Sequence, residues 1–254
     1  VIIFSSDSIR IFKDSPMSRR KYFNIQISQI NKIYLSNLSN YNLLLRQRNE
    51  FLKIIDIHKK NDMDYLDVLD EKYINLSLNI YDYRKKYIDL VNKYIDNIFY
   101  SITGIKELKL VYSSNIDGFD KDLFKDKLRS NLNREIQYKS TFLGPNRDDY
   151  FFELGGKNLS LYGSQGQIRS AVLALKLAEV KLFTDVLSDT PILLLDDIFS
   201  ELDITKRNNI VKYLSNEVQT IVTTTDIENI EEKIRKKANV YKIKNGKIIS
   251  REII

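Results

Sequence analysis

The chain has 254 residues, of which 43% are hydrophobic and 29% charged, and its formal net charge is +6. This length and composition predict a globular protein that buries a substantial core in one or two domains. The chain has no Cys, and its only His is His58, which excludes disulfides, zinc sites built from Cys or His, and Ser-His-Asp triads. No apolar run approaches the ~18 residues of a membrane span and no signal peptide is visible, so we expect a cytoplasmic protein without a membrane partner. The positive charge mildly favours an anionic partner.

Two long helices are predicted in the first half of the chain. Apolar residues recur at spacings of three and four from Ile27 to Ile55, and again from Met63 to Ile98. A polar break at residues 58–62 separates the two series, and Gly104 suits the end of the second helix. The heptad-like period predicts an antiparallel helical hairpin, which is either a coiled-coil-like arm or part of an ordinary helical bundle.

Strands and helices alternate after Gly104, and this alternation indicates a mostly parallel sheet covered by helices. Further helices are predicted at residues 119–138, after Ser164, at 204–215 and at 227–237. Strands are predicted at residues 108–112, 150–154, 158–161, 192–197, 220–224, 240–244 and 247–254. Gly155-Gly156 and Asn245-Gly246 indicate hairpin turns.

The most informative segment is residues 191–203, which read Pro-Ile-Leu-Leu-Leu-Asp-Asp-Ile-Phe-Ser-Glu-Leu-Asp. Its apolar run suits a buried parallel strand, and its two acids, Asp196 and Asp197, would then lie at the edge where open α/β sheets bind ligands. One acid could hold Mg²⁺ on a nucleotide while the other orients or deprotonates a water. The simpler alternative is that the pair caps the next helix.

A second segment, beginning Gly163-Ser164-Gln165-Gly166-Gln167, leads into a run of strong helix formers. Ser164 is a good N-cap, and the two glycines allow the backbone to approach a ligand closely. The free N–H groups and positive dipole end of the helix would then face an anion. Taken alone, this segment also fits an ordinary capped amphipathic helix, but the di-acid strand that follows it favours a nucleotide site.

These motifs, in this order, resemble those of the RecF family, which belongs to the SMC-like branch of the ABC-type ATPases. Ser164-Gln165-Gly166-Gln167 resembles the signature loop, residues 192–197 the Walker B strand, and residues 200–203 the D-loop. The likeness extends over nearly the whole chain through Ser15-Pro16, Arg19-Arg20, residues 27–30 and 41–49, and Gly144-Pro145-Asn146-Arg147-Asp148-Asp149.

The resemblance implies an α/β fold: an incomplete ABC-type P-loop ATPase head, mostly parallel sheet with helices, with an inserted antiparallel helical arm. Its domains would be residues 1–24 (first part of the head), 25–104 (the arm) and 105–254 (the rest of the head). The family carries a Gly-x-x-x-x-Gly-Lys-Ser/Thr loop, which is absent from this sequence. We therefore expect that loop upstream of Val1, and poor ATP binding by the chain as given.

The resemblance also assigns site residues. Asp196 would help to hold Mg²⁺. Asp197 stands where most ABC proteins have Glu, and would position or activate the attacking water; its shorter side chain predicts slow ATP hydrolysis. The remaining nucleotide contacts would come from the signature loop, the D-loop and the switch position: Ser164, Gln165, Gly166, Gln167, Asp203 and Thr224. The signature loop would contact ATP held by the other subunit of a homodimer.

The implied function is an ATP-dependent DNA clamp in recombinational repair, replication restart and the SOS response. It would dimerise on ATP, bind single-stranded DNA and gapped duplexes, and cooperate with RecO and RecR. Candidate phosphate contacts, each of which is also common on a solvated surface, are Arg19, Arg20, Lys21, Arg84, Lys85 and Lys86.

Two alternatives come from other classes of protein. One is the nucleotide-binding subunit of a transporter, which the missing switch His, the missing Gln near residues 5–8 and the helical hairpin all disfavour. The other is a catalytically inert coiled-coil structural protein, which the sequence alone does not exclude.

Overall fold

The computed structural model describes residues 1–5, 8, 10–198, 206, 209–210, 218–225, 227, 232–236 and 238–252. Its helices are α1 (Arg10–Lys13), α2 (Pro16–Ile30), α3 (Lys32–Phe51), α4 (Lys60–Thr103), α5 (Lys121–Tyr138), α6 (Leu159–Tyr162), α7 (Gln165–Leu187) and α8 (Glu232–Arg235). Its strands are β1 (Ile2–Ser5), β2 (Leu108–Ser113), β3 (Asp149–Leu154), β4 (Lys157–Asn158), β5 (Leu193–Asp196), β6 (Thr220–Thr223), β7 (Val240–Lys244) and β8 (Lys247–Glu252). The helix predicted at residues 204–215 lies largely outside the described residues.

A parallel sheet with strand order β1-β5-β6 confirms the predicted α/β class. The central strand, β5, buries Leu193 and Leu195. Because parallel strands point the same way, their carboxyl ends meet at one edge, where Ser5, Asp196 and Thr223 are in register. The di-acid therefore lies at the ligand-binding edge that its sequence predicts.

The other strands form an antiparallel sheet, β2-β3-β4, and a separate β7-β8 hairpin. The β7-β8 turn at Asn245-Gly246 has φ of 51° and 74°, as a type I′ turn requires. The strand predicted to run to Leu161 is wrong after Asn158. The Asn158 side chain accepts a hydrogen bond from the Ser160 N–H, and this contact starts α6 instead.

The helix predicted from Ile27 to Ile55 is in fact two helices, separated at Asn31. Asn31 is extended (φ −142°, ψ 103°), and its Oδ1 accepts the Tyr34 N–H at 2.8 Å, so that it caps α3. The next helix, α4, has 44 residues and is about 66 Å long. It ends at Gly104 in the left-handed conformation (φ 74°), as predicted.

Helix α4 connects the helical part of the chain to the α/β part. Its first half packs against α3, and its second half packs against α7 and β2. Asn92 exchanges two hydrogen bonds with Leu110 of β2, at 2.8 and 2.9 Å. The buried apolar residues form one continuous cluster. The domain boundary predicted between residues 24 and 25 falls within α2.

A buried arginine, Arg48, joins α3, α4 and α5. Its guanidinium donates to Asp70 (2.6 Å), Glu135 (2.7 Å) and Thr141 (2.8 Å). Burial opposes its charge, but the two carboxylates raise its pKa above the ordinary value. Removing one partner of such a buried pair costs about 3–5 kcal/mol, so this cluster fixes how the three helices meet.

A second buried arginine, Arg84 of α4, binds the loop at residues 144–149. Its guanidinium donates to the Asp148 carboxylate and to the Pro145 carbonyl, the latter at 2.8 Å. It also donates to Asn24 of α2 at 3.0 Å and to Tyr34 of α3 at 3.2 Å. The Gly-Pro-Asn-Arg-Asp-Asp motif thus serves to hold α2, α3 and α4 against β3.

This loop also explains why residue 144 is Gly. Its φ is +114°, and a Cβ built there would lie 2.4 Å from the Tyr73 hydroxyl oxygen. The same hydroxyl donates to the Leu143 carbonyl at 2.6 Å, so it is not free to move away.

We predict that Gly144→Ala lowers the free energy of unfolding by about 2–4 kcal/mol, because backbone strain and a steric clash combine. Gly118→Ala is the matched control: its φ is +73°, but a Cβ there meets nothing within 4 Å, so only about 1 kcal/mol should be lost. Urea unfolding of both variants measures the difference. Equal losses would contradict the steric role of Tyr73.

Candidate functional site

The carboxyl edge of the parallel sheet presents two exposed carboxylates in a tight turn. Asp196 ends β5, and its Oδ1 accepts the Thr223 hydroxyl at 2.5 Å. Asp197 follows in the left-handed conformation (φ 51°), and its N–H donates to the Thr223 carbonyl at 3.2 Å and hydroxyl oxygen at 3.1 Å. The chain therefore turns sharply after the strand and keeps both acids at the edge. The alternative prediction, that this acid pair caps the next helix, involves residues that lie outside the described residues.

Thr223 is a site residue that the sequence did not reveal. The predicted switch residue was its neighbour Thr224, which follows β6 and is half-buried. Thr223 contacts the di-acid because the parallel register places it beside Asp196. A run of three threonines carries no signal for that register. The sequence could therefore locate the threonine run but not the threonine that contacts the di-acid.

The carboxylates at this edge suit a Mg²⁺ ion that also binds phosphate and water better than they suit a metal ion held by protein ligands alone. Carboxylate oxygens are the ligands that Mg²⁺ prefers, and it commonly takes one or two carboxylates together with phosphate oxygens and waters. Within the described residues there is no group of three or more side chains able to hold a metal. The exposed carboxylate of Asp196 is a ligand of the kind that Mg²⁺ takes when it is bound to a nucleotide.

The predicted signature loop is the amino end of α7. Ser164 Oγ accepts the Gln167 N–H at 3.2 Å, and Gln167 Oε1 accepts the Ser164 N–H at 2.8 Å. This reciprocal pair is a capping box, so the ordinary interpretation of Ser164 as a helix cap is correct. Ser164, Gln165 and Gly166 are nonetheless exposed. The N–H groups of Gln165 and Gly166 have no partner within the helix, which leaves an anion-compatible end.

The two glycines of this loop have different roles. A Cβ built on Gly163 would lie 2.5 Å from the Leu159 carbonyl oxygen, which accepts the Gly163 N–H at 2.9 Å. Gly163 is therefore required for the tight passage from α6 into α7. Among the described residues, a Cβ on Gly166 would meet only Ser164 Oγ, at 4.0 Å. This part of the structure therefore leaves space beside Gly166, where a ligand could approach the backbone.

Helix α7, which begins at this loop, is anchored by a buried carboxylate. Glu179 accepts hydrogen bonds from the hydroxyls of Tyr22 (2.7 and 2.6 Å) and Tyr87 (3.1 Å). Burial raises the pKa of Glu179, and burial also lowers the pKa of Lys176, whose ammonium lies 3.9 Å away. These contacts tie the signature helix to α2 and α4. This cluster could not be predicted from the sequence, because Glu and Lys on a helix usually face solvent.

Two of the predicted phosphate contacts are engaged inside the protein. Arg84 is 2% exposed, and its partners surround it. Arg19 forms a two-bond pair with Asp149, at 2.6 and 2.8 Å, and also donates to the Asp14 carbonyl. We therefore leave Arg19 and Arg84 out of the DNA interface, which corrects the prediction made from their clustering in the sequence.

The other basic candidates are more accessible. Lys21, Lys85 and Lys86 are exposed, and Arg20 is half-buried. Lys85 also donates to the Tyr81 hydroxyl at 2.9 Å. Asp203, the predicted D-loop residue, lies outside the described residues. Among the helices that are described, none combines the length and the apolar character that a bilayer crossing requires.

Comparison with known proteins gives a consistent result. No family model matches the chain. The chain is 36% identical over 256 residues to the DNA replication and repair protein RecF of Geobacillus sp. (strain WCH70), covering 98% of the chain and 68% of that relative. It is also 36% identical, over 252 residues, to the RecF of Lachnospira eligens, with the same two shares.

Two solved structures match with comparable coverage. One, of the recombination mediator protein RecF-ATP in the RecFOR pathway, has a TM-score of 0.81 and 31% identity over 99% of this chain and 67% of that one. The other, of RecF-ATPrS, has a TM-score of 0.79 and 32% identity over 97% of this chain and 66% of that one. The chain thus spans about two thirds of the length of these proteins. On this evidence the chain belongs to the RecF family.

Proposed function

We propose that the chain forms the signature, Walker B and arm parts of an ATP-gated DNA clamp that acts in DNA repair and replication. The observation that carries this proposal is the di-acid turn at the carboxyl edge of the parallel sheet, where Thr223 holds Asp196 and Asp197 is exposed. Relatives named for DNA replication and repair, and a solved RecF-ATP structure, support the same function.

The hydrolytic roles divide between the two acids. Asp196, oriented by the Thr223 hydroxyl, would bind Mg²⁺ through water, and this ion would neutralise phosphate charge. Asp197 would position or deprotonate the attacking water. Its carboxylate reaches one methylene less far than a Glu would, so we expect slow turnover. Slow turnover suits a clamp that must stay closed for some time.

ATP would hold two copies of the protein together. The exposed end of α7, with Ser164, Gly166 and Gln167, would contact the γ-phosphate of ATP bound by the partner copy. These phosphate contacts exist only in the closed dimer, so ATP would favour closure and hydrolysis would favour release. Gln165, Asp203 and Thr224 belong to the same proposed interface. A cytoplasmic location and cooperation with RecO and RecR are part of this proposal, by analogy with the RecF family.

DNA would be held mainly through its phosphates. Lys85 and Lys86 carry exposed ammonium groups on α4, and such groups bind the backbone of single-stranded and duplex DNA without reading its sequence. We therefore expect affinity for single-stranded and gapped DNA that depends strongly on salt.

Ser164→Arg should abolish the ATP-dependent dimerisation of the protein. A cation with a long side chain would block the helix end that faces the phosphate. Sedimentation velocity with and without ATP measures the shift. Ser130→Arg, at an exposed position on α5, is the control and should still dimerise. Dimerisation of the Ser164 variant, or none in the unaltered protein, would overturn the role of the loop in trans.

Asp197→Asn should reduce ATP turnover about 10²–10⁴-fold, because the neutral amide cannot take a proton from water. The ATP-dependent dimer should persist, since the signature loop is unchanged. Steady-state phosphate release measures the effect, and Asp189→Asn, another exposed change of the same kind, should be neutral. Unchanged turnover would instead favour the structural, non-catalytic alternative.

Charge reversal at Lys85 and Lys86 together should weaken binding to gapped and single-stranded oligonucleotides equally. The slope of log affinity against log salt should fall by about 2, one for each lost phosphate contact. The control is reversal of Lys125 and Lys127, two exposed lysines on α5. If both double variants lose affinity alike, the effect is one of net charge and the interface lies elsewhere.

A further inference from the structure

A groove of about 670 Å³ is lined by residues of α2 and α3. Arg84 of α4 and the loop residues Pro145 and Asn146 complete its described lining. None of these described residues belongs to the di-acid edge or to the amino end of α7. Both walls are regular helices that are anchored to the core through Phe23 and Tyr34, so the groove is a formed feature of the fold.

The walls expose large aliphatic side chains. Met17 and Ile25 on α2 are 70% and 47% exposed, and Leu35 on α3 is 52% exposed. Leu38 lies deeper and packs against the core. Exposed apolar side chains that face one another across a groove, rather than scattered singly, are typical of an interaction site.

The charge of the groove is positive and uncompensated. Within the described residues the lining contains Arg20, Lys21 and Arg84 but no carboxylate. Arg84 is paired with Asp148, and the neighbouring Asp149 is paired with Arg19. Arg20 and Lys21 therefore keep two unbalanced positive charges. Burial and the nearby charge of Arg84 lower the pKa of Arg20, while Asp149 and Asp148 act in the opposite direction.

Arg20 is also held in position with donors to spare. One of its N–H groups donates to the Asp148 carbonyl at 2.8 Å. A guanidinium has five N–H donors, so it can still bind a carboxylate. Polar groups suited to a peptide backbone line the same groove: Asn24, Ser28, Gln29, Asn42 and Asn146.

We propose that this groove docks a short acidic segment of a partner protein. An apolar side chain of the segment lies between Ile25 and Leu35, and an adjacent carboxylate binds Arg20 and Lys21. Single-stranded DNA fits the groove less well. Stacking on exposed aromatic faces is the usual means of holding bases, and among the described residues of the lining the one aromatic side chain, that of Tyr41, is 2% exposed.

The test is a random peptide display selection against the folded chain, followed by binding of the enriched sequences as labelled synthetic peptides. We expect enriched peptides to combine Asp or Glu with Leu, Ile or Met. Lys21→Glu and Leu35→Asp should each weaken their binding about tenfold or more. Both positions are exposed, so the variants should keep the circular dichroism spectrum and melting temperature of the parent. Lys125→Glu and Leu123→Asp are matched controls on α5.

Three outcomes would overturn the proposal. The selection could enrich no peptide, or the enriched peptides could bind the two groove variants as tightly as the parent. Alternatively, Lys21→Glu could weaken binding of a single-stranded oligonucleotide while leaving peptide binding unchanged, which would assign the groove to nucleic acid. None of these outcomes depends on ATP, so this test is independent of the clamp mechanism.

Discussion

The buried pair between Arg84 and Asp148 is the contact on which the arrangement of this molecule depends. Two opposite charges removed from water are tolerated only when hydrogen bonds satisfy them, and Arg84 draws its partners from α2, α3 and the loop at residues 144–149. Loss of either charge would leave the other buried and alone, at a cost of about 3–5 kcal/mol. Arg48 does the same for α3, α4 and α5. The positions of the helices relative to one another are thus set by buried charge pairs as much as by apolar packing.

The same construction links the arm to the candidate nucleotide site. Helix α4 contributes Arg84 to the loop and Tyr87 to Glu179 of α7, only three residues apart along one helix. The amino end of α7 is the signature loop, and its sharp entry is fixed by Gly163. Because α4 and α7 are stiff and their contacts are buried, we expect them to move as one body. A displacement of the arm would then reach the amino end of α7, the loop that we propose to face a partner copy in an ATP-gated DNA clamp.

The sequence predicted the elements that have local signals. Capping residues, hairpin glycines and the apolar run of β5 located most strands and helices, including the strand and the helix start that carry the two predicted nucleotide motifs. The sequence did not predict the features that depend on residues brought together only by the fold. The helical period could not show that Asn31 interrupts the first helix, because an Asn at a polar position is compatible with a continuous helix and with a break. The burial of Arg84 and Glu179 could not be predicted either, since burial of a charge depends on partners far away in the chain. Thr223 was missed because register between parallel strands has no local signature.

Ser164 shows how a structural and a functional interpretation can both hold for one residue. Its Oγ accepts the Gln167 N–H, but a hydroxyl keeps its own proton to donate. Gln167 uses its carbonyl oxygen on the Ser164 N–H and keeps both amide protons. The capping box therefore uses acceptor atoms of Ser164 and Gln167 and leaves donor groups of both side chains available. A phosphate binds to donor groups. By holding these donors in place before the ligand arrives, the cap lowers the ordering cost of binding. A signature loop that is already a well-formed helix end is consequently suited to close on ATP carried by another copy.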